Sequence, residues 1–518
     1  MATPSEKLAE SLEVLHKLQE NGAVAIRSRD LSRTHRERLV KSGFLQDVFK
    51  GWYIPCRPDD SAGESTAWYT SFWAFCAAYL TERFQTSWCL SPEQSLLLHV
   101  GNRSVPPQLL VRAIKGRNNV TNLPYDTSLL DVKAALPEKG DIVELDGLRA
   151  FSLPAGLVAA GPSFFDHYAT DAQAALSMLR DASGVLEKLL EGGHTVVAGR
   201  LAGGLRNIGR DKIADDIVKT MSAAGYKTRE VNPFNAAPRV MLSAREQSPH
   251  VNRTQLKWQQ MGNAVIEIFP EAPGLPRGKK TFLKHVDEAY TADAYHSLSI
   301  EGYRVNLALI ERVRSGNWNP DAIEADRNHR DALAARGYWQ AFQAVKRSVE
   351  RVLNRENAGA VAEDDHSDWY REMFGPSVTA GILRPGDLAG YRNAPVYIRR
   401  SKHVPPSLEA VRDLMPAFFT LLQEEKHPAV RVVLGHFVFV YIHPYMDGNG
   451  RIGRFLMNVM LAAGGYPWTV IPLERRNEYM STLEAASVKQ DIRPFAAFLG
   501  ELVSDSLAGK AIPTVPDS

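Results

Sequence analysis

The residues of this chain that could do chemistry crowd into one dozen: His443-Pro444-Tyr445-Met446-Asp447-Gly448-Asn449-Gly450-Arg451-Ile452-Gly453-Arg454. If the ligand is a nucleotide, each type has a task. Gly448 and Gly450 lack side chains, so backbone amides can turn inward at a helix N-terminus, where unpaired N–H groups and the helix dipole attract phosphate. Asp447 offers a hard oxygen of the kind Mg²⁺ takes alongside substrate phosphates. Arg451 and Arg454, one helical turn apart, can fork onto phosphate oxygens. Asn449 and the glycine amides can steady developing charge, and His443, which titrates near neutrality, can take a proton from an attacking hydroxyl. Asp-Gly and Asn-Gly are also common turn dipeptides, and His443 with Asp447 could be a metal pair. Neither alternative accounts for the two arginines.

Two elements must position these groups. An apolar run from Val432 to Tyr441 leads in, and Ile452, Phe455, Leu456, Val459, Met460 and Ala463 lead out at helical spacing. The expected arrangement is buried helix, polar loop, buried helix.

The dozen resembles the signature of Fic-domain proteins, His-x-Phe-x-Asp/Glu-Gly-Asn-Gly-Arg-x-x-Arg. It departs at Tyr445, where the family usually has Phe; either ring can anchor the loop in the core. The resemblance implies a protein adenylyltransferase that moves AMP from ATP, with Mg²⁺, onto a Ser, Thr or Tyr hydroxyl of a target protein. In that reading His443 is the catalytic base and Asp447 holds the metal. Gly448, Asn449, Gly450, Arg451 and Arg454 bind the nucleotide. Relatives of this fold use other phosphate-linked donors, so ATP is the first reading of the donor and not the sole one.

Upstream, Tyr295-His296-Ser297-Leu298-Ser299-Ile300-Glu301-Gly302 resembles the family's inhibitory motif. Ser297 and Glu301 are four apart and share a helix face, and Gly302 is a natural stop. The resemblance implies that Glu301 pairs with Arg454 and misplaces the phosphates of ATP. In some family members the equivalent glutamate also positions a water for removing AMP. Residues Ala389 to Ile398 resemble the β-hairpin flap on which Val396, Tyr397 and Ile398 would align a target segment by strand addition; an ordinary hairpin fits equally well. Asn477, Tyr479 and Leu483 fall where Fic proteins line the adenine pocket, although such residues at helical spacing are also plain core.

At the other end of the chain, Leu8, Leu12, Leu15 and Leu18 mark a helix, and Ser32 caps a second over residues 32–42. Two short strands around Lys50-Gly51 follow. This order looks like a winged helix-turn-helix, with Arg33, Arg36, Arg38 and Lys41 on the recognition helix and Lys50 in the wing as DNA contacts; a solvated basic face on a protein-binding module is the plain alternative. With pieces such as Gly51-Trp52-Tyr53 and Ser91-Pro92-Glu93, the first half resembles AbiEi-like antitoxin regulators of bacterial toxin–antitoxin systems. That leaves a competing function, a DNA-binding regulator whose Fic part senses nucleotide. Between these landmarks, Trp68 to Phe84 reads as a buried helix, Ser95 to Val100 as a strand, Phe165 to Leu190 as helical, and Asn263 to Phe269 as a strand.

At 518 residues the chain has room for about three domains. With 44% hydrophobic and 23% charged residues it has the composition of a globular protein, and a net charge of +2 argues for no partner by itself. Cys56, Cys76 and Cys89 form no CxxC pair, which favours reduced thiols over a disulfide frame. No leader-like segment opens the chain and no apolar span reaches membrane length, so the expected location is cytoplasmic and a membrane partner is not expected; a homo-oligomer is left open. The expected fold class is multidomain, mainly α (α+β). It comprises a winged helix-turn-helix at 1–55, an α/β regulatory domain at 56–240, a linker at 241–285, an all-α Fic core with a β-hairpin flap at 286–505, and a tail at 506–518.

Overall fold

The computed structural model describes residues 3–20, 22–58, 65–234, 248–316, 330–510 and 513–516. These fall into two compact units, one of residues 1–253 with 397–404 and one of residues 254–396 with 405–518.

The first unit opens with α1 (Pro4–Glu20), β1 (Ile26–Arg27), α2 (Arg33–Lys41), β2 (Leu45–Phe49) and β3 (Trp52–Pro55). Ser32 starts α2 as expected, its Oγ accepting from His35 N at 3.2 Å. The strands form an antiparallel sheet in the order β1-β3-β2. Leu15, Ile26, Leu31, Leu39 and Leu45 make the small core between sheet and helices. Next come α3 (Thr66–Phe84), β4 (Trp88–Leu90), α4 (Pro92–His99), β5 (Gln108–Ala113), β6 (Asn119–Leu123) and β7 (Thr127–Lys133), then the hairpin β8 (Ile142–Leu145) and β9 (Leu148–Phe151). The four-stranded sheet runs β4-β5-β7-β6, with β5 and β7 parallel. Helix α3 buries Trp68, Phe72, Phe75 and Leu80 in the core that also holds Leu109, Val111 and Leu129. Six helices follow: α5 (Leu153–Ala159), α6 (Pro162–His167), α7 (Ala169–Ser177), α8 (Ser183–Glu191), α9 (Thr195–Asn207) and α10 (Asp211–Ala223). Residues 397–404 belong to this unit, where Val105 N donates to Lys402 O at 2.8 Å and Arg400 N to Thr66 Oγ1 at 3.1 Å.

The second unit is helical: α11 (Pro249–Ile268, whose first residues belong to the first unit), α12 (Lys279–Ile300), α13 (Leu307–Arg314), α14 (Arg330–Leu353), α15 (Ala358–Thr379), α16 (Leu408–Glu424), α17 (Pro428–Ile442), α18 (Asn449–Gly464), α19 (Arg476–Val488) and α20 (Arg493–Leu507). Helix α17 is buried along nearly its whole length, and α18 packs beside it with every described side chain from Arg451 to Ala462 buried. Among the described residues no helix is long and apolar enough to cross a membrane.

Four expectations differ from what is observed. Residues 95–100, read as a strand, lie in α4 and the turn that ends it: Ser91 Oγ accepts from Gln94 N at 3.2 Å and Pro92 occupies the first turn. A fully buried apolar run does not reveal its period, and here the capping signal decides. Residues 263–269, read as a strand inside a linker at 241–285, lie in and just past the end of α11, which buries Leu256, Met261 and Val265 at roughly helical spacing, with Phe269 buried just beyond it. Among the described residues between α11 and α12, 269–278 is irregular yet packed in place: Tyr466 Oη donates to Pro270 O at 2.7 Å and Gly274 N to Gly464 O at 3.2 Å. The start of that linker, 241–247, lies outside the described residues. Third, the β-hairpin flap is absent as a hairpin, because no strand is formed across 389–398. Pro395 has no N–H to give, and a lone two-stranded ribbon is marginal without a third partner. Finally, α20 extends into the expected tail as far as Leu507, while 511–512 and 517–518 lie outside the described residues.

Candidate active site

The loop between α17 and α18 is shaped by backbone that few residues tolerate. His443 ends α17 in the left-handed region, φ 54° and ψ 59°, with its N–H bonded to Phe439 O at 3.0 Å. Its Nδ1 lies 3.1 Å from Val440 O. A carbonyl only accepts, so Nδ1 carries the proton and Nε2 keeps the lone pair of a base. Burial pushes the imidazole down to about 4, against a bond to Val440 O that raises it, and the charge of Arg392 lowers it further. Near neutral pH His443 is therefore an uncharged acceptor.

Tyr445 anchors the loop as expected. Its ring is 1% exposed and stacks on Tyr370 with centroids 3.9 Å apart. Asn449 uses both ends of its amide on the backbone of the same residue, Oδ1 accepting from Tyr445 N at 2.9 Å and Nδ2 donating to Tyr445 O at 2.8 Å. Its side chain thus shapes the loop. Gly448, at φ 80°, caps α18, and a methyl there would stand 2.8 Å from the Phe374 ring. Asp447 points outward, its Oδ1 accepting from Gly448 N at 2.6 Å. This single exposed carboxylate suits a divalent ion that takes its other ligands from phosphates and water. Among the described residues no cluster of three metal-ligating side chains exists to hold an ion without such help.

The two arginines differ in state. Arg451 is 1% exposed and lies between the rings of Tyr303 and Phe374, each 5.1 Å from its guanidinium carbon. Its Nε and Nη2 have no hydrogen-bond acceptor, Asp447 Oδ2 lying 3.4 Å from Nη2 but out of line. A buried guanidinium held this way is ready to take anionic oxygens. Arg454 is instead engaged by the end of α12. Its Nε donates to Ser297 Oγ at 2.9 Å, and its Nη2 donates to Ser297 O at 3.0 Å and to Glu301 Oε1 at 2.7 Å. Glu301 caps the C-terminus of α12, and Gly302 follows in the left-handed region at φ 86°. The same Oε1 lies so close to the first turn of α18 that a methyl on Gly450 would stand 2.3 Å from it. The Glu301 carboxylate therefore occupies the spot that the free amides and dipole of α18 favour for an anion. One turn before Ser297, buried Asp293 accepts from Tyr338 Oη at 2.7 Å, and burial pushes its carboxyl up to about 6.

Several contributors escape a reading of the sequence. Arg392, 4% exposed, donates from Nε to His443 O at 2.9 Å and from its backbone N to Pro444 O at 2.8 Å, with Nη2 bonded to Pro406 O. It fixes the carbonyls on either side of the His443-Pro444 bond from 51 residues away in sequence. Tyr303 and Phe374, which flank Arg451, carry no local signal either. Arg476 Nε donates to Ile300 O at 2.7 Å and holds the end of α12.

The remaining candidates are dispersed. Tyr479 is 1% exposed with its hydroxyl 2.7 Å from His436 Nε2, Leu483 is buried on the same helix, and Asn477 is exposed at its start. Val396 and Ile398 are half-buried and Tyr397 is exposed. Of the basic residues in the first unit, Arg33 pairs with Glu37 at 2.7 Å. Arg36 donates to Ser28 O at 2.9 Å, and Arg38 donates to Ser11 Oγ at 2.7 Å. Lys41 and Lys50 are exposed.

Fold and site together define a glycine-bearing loop between two buried helices, with a histidine at its entrance and an intramolecular carboxylate on its second arginine. Residues 363–461 match the family model described as the Fic/DOC family, and the chain carries a Fic domain. Among curated relatives, the protein adenylyltransferase Fic of Drosophila grimshawi is 31% identical over 249 residues, 47% of this chain and 46% of its own length. The protein of the same name from Drosophila mojavensis is 28% identical over 291 residues, 54% of this chain and 52% of its own length. The chain thus spans about half the length of the curated relatives it matches. Among solved structures, a Fic domain containing signaling protein from Bacteroides thetaiotaomicron aligns with 50% of this chain and 100% of its own, at 19% identity and a TM-score of 0.35.

Proposed function

We propose that this protein is a protein adenylyltransferase restrained by its own inhibitory helix, with ATP as donor and a Ser, Thr or Tyr hydroxyl of a target protein as acceptor. The observation that carries the reading is the Glu301–Arg454 contact at 2.7 Å beside Gly450, a carboxylate seated where a phosphate group belongs. In the reaction the target oxygen attacks the α-phosphorus. A new O–P bond forms as the bond to the bridging oxygen breaks, pyrophosphate leaves, and the hydroxyl proton passes to His443 Nε2. Arg451 and a released Arg454 hold the β- and γ-phosphates so that the leaving group lies in line. The amides at the start of α18 meet the growing charge. Mg²⁺, held through Asp447 when bound, offsets phosphate charge. Asn477 is the exposed candidate for adenine contact, and the segment at Val396, Tyr397 and Ile398, which forms no strand of its own, is the candidate for aligning a target segment.

The test is labelled ATP with purified protein. Glu301→Gly should raise label transfer by about tenfold or more, since removing a competing anion frees an arginine worth roughly 1.5–3 kcal/mol of hydrogen bonding. His443→Ala in that background should remove at least about a hundredfold. A second reading, DNA binding by the first 55 residues, is favoured only by the exposure of Lys41 and Lys50, since the three arginines already have intramolecular partners. A gel shift unaffected by Lys41→Gln and Lys50→Gln, or by added salt, would end it.

A further inference from the structure

The first unit contains a cleft of about 640 Å³ that the adenylylation reading does not use, between α6, the start of α9 and the extended segment 226–234. Its walls are built by close backbone approach. A methyl on Gly199 would stand 1.9 Å from Arg229 O and one on Gly203 2.2 Å from Val231 O, while Val231 N donates to Gly199 O at 3.1 Å. Because α9 presents glycines there, the segment lies directly against the helix, and Val196 and Val231 are left on the cleft wall 80% and 53% exposed. Exposed aliphatic groups converging on a cleft of this size are what a small-molecule pocket offers an apolar body.

The polar groups of the cleft have one dominant sign. Arg200, Lys227 and Arg229 line it against a single carboxylate, Asp166. Arg200 lies over the Phe165 ring at 4.9 Å and donates from Nη2 to Ala160 O at 2.8 Å, with no carboxylate in ion-pair contact among the described residues. Burial works against its charge. Neither Lys227 nor Arg229 has an ion-pair partner among the described residues. A half-buried cation without a counter-ion, beside two exposed ones and an apolar wall, is complementary to one class of molecule.

We propose that this cleft binds a small organic anion with an apolar body, its carboxylate, sulfonate or phosphate held by Arg200 and Arg229 and its body against Val196 and Val231. The site stands independently of the Fic domain, so its failure leaves the adenylylation reading untouched. The test uses anilinonaphthalene sulfonate as the fluorescent probe on the full chain, with circular dichroism melts to verify folding. Saturable binding is expected, displaced by decanoate and not by decanol, and weakened as salt rises. Arg200→Gln and Arg229→Gln should each raise Kd by about tenfold, the usual worth of one charge-assisted contact. Arg229 and Lys227 are exposed, so Arg229→Gln and Lys227→Gln keep the test decisive if Arg200→Gln fails to fold. Unchanged Kd in the folded Arg229→Gln and Lys227→Gln proteins, or equal displacement by decanol, would overturn the proposal.

Discussion

The surroundings of His443 keep it neutral, as the base proposed for the transfer must be. Burial holds its folded value near 4, below the ordinary 6.5, so the base remains unprotonated in mildly acidic solution. In the Glu301→Gly protein the rate should therefore stay level from about pH 7.5 to about pH 5.5, with no loss centred near the ordinary histidine value. An acid limb near that value in single-turnover rates would count against this. Asp293 carries the opposite sign. Its folded value is raised to about 6 from 3.8, so the folded state holds a proton that the unfolded chain releases. The stability it contributes is complete below about pH 4 and is lost as pH rises through about 6. Asp293→Asn should flatten the fall in melting temperature between those values, as calorimetry at several pH values would show. The candidate residues could be picked out in the sequence because each lies at a fixed offset in one loop. The role of Asn449 could not, since only coordinates reveal that both ends of its amide are used on Tyr445.

At the scale of elements, two buried helices hold the loop, and a third brings the carboxylate that fills it. The apolar run before His443 and the periodic face after Gly450 announced α17 and α18, and Ser297 with Glu301 announced the end of α12. What the sequence could not convey was tertiary pairing. Arg392 lies in a segment expected to be a hairpin, yet its observed contacts fix the His443 and Pro444 carbonyls. It is a positioning residue, and its replacement should be read in the Glu301→Gly background. Arg392→Ala should lower kcat by roughly 10- to 100-fold with a smaller change in KM for ATP, because misplacing a base is costlier in the transition state than in binding. Removing its charge should also move the acid limb upward, and Arg392→Lys should recover part of the rate. A loss confined to KM, with an unmoved pH profile, would assign Arg392 to nucleotide binding instead. The strand expectations at 95–100 and 263–269 failed for one shared reason: short apolar runs read alike in helix and strand until a cap or a longer period separates them.

At the scale of the molecule, the chain carries a Fic domain and an N-terminal unit that has its own sheets, core and cleft. The helical character of the C-terminal part followed from hydrophobic period. The parallel pairing of β5 with β7 did not, because non-local strand order leaves no local mark. Restraint of Arg454 is reached by one comparison: AMP transfer from labelled ATP by the wild-type chain, Glu301→Gly, and Glu301→Gly with His443→Ala, in the same lysate. The expected results are low labelling, labelling at least about tenfold higher, and labelling at background, in that order. Equal labelling by the first two proteins would contradict restraint by Glu301, and label persisting in the third would contradict the histidine-based transfer itself.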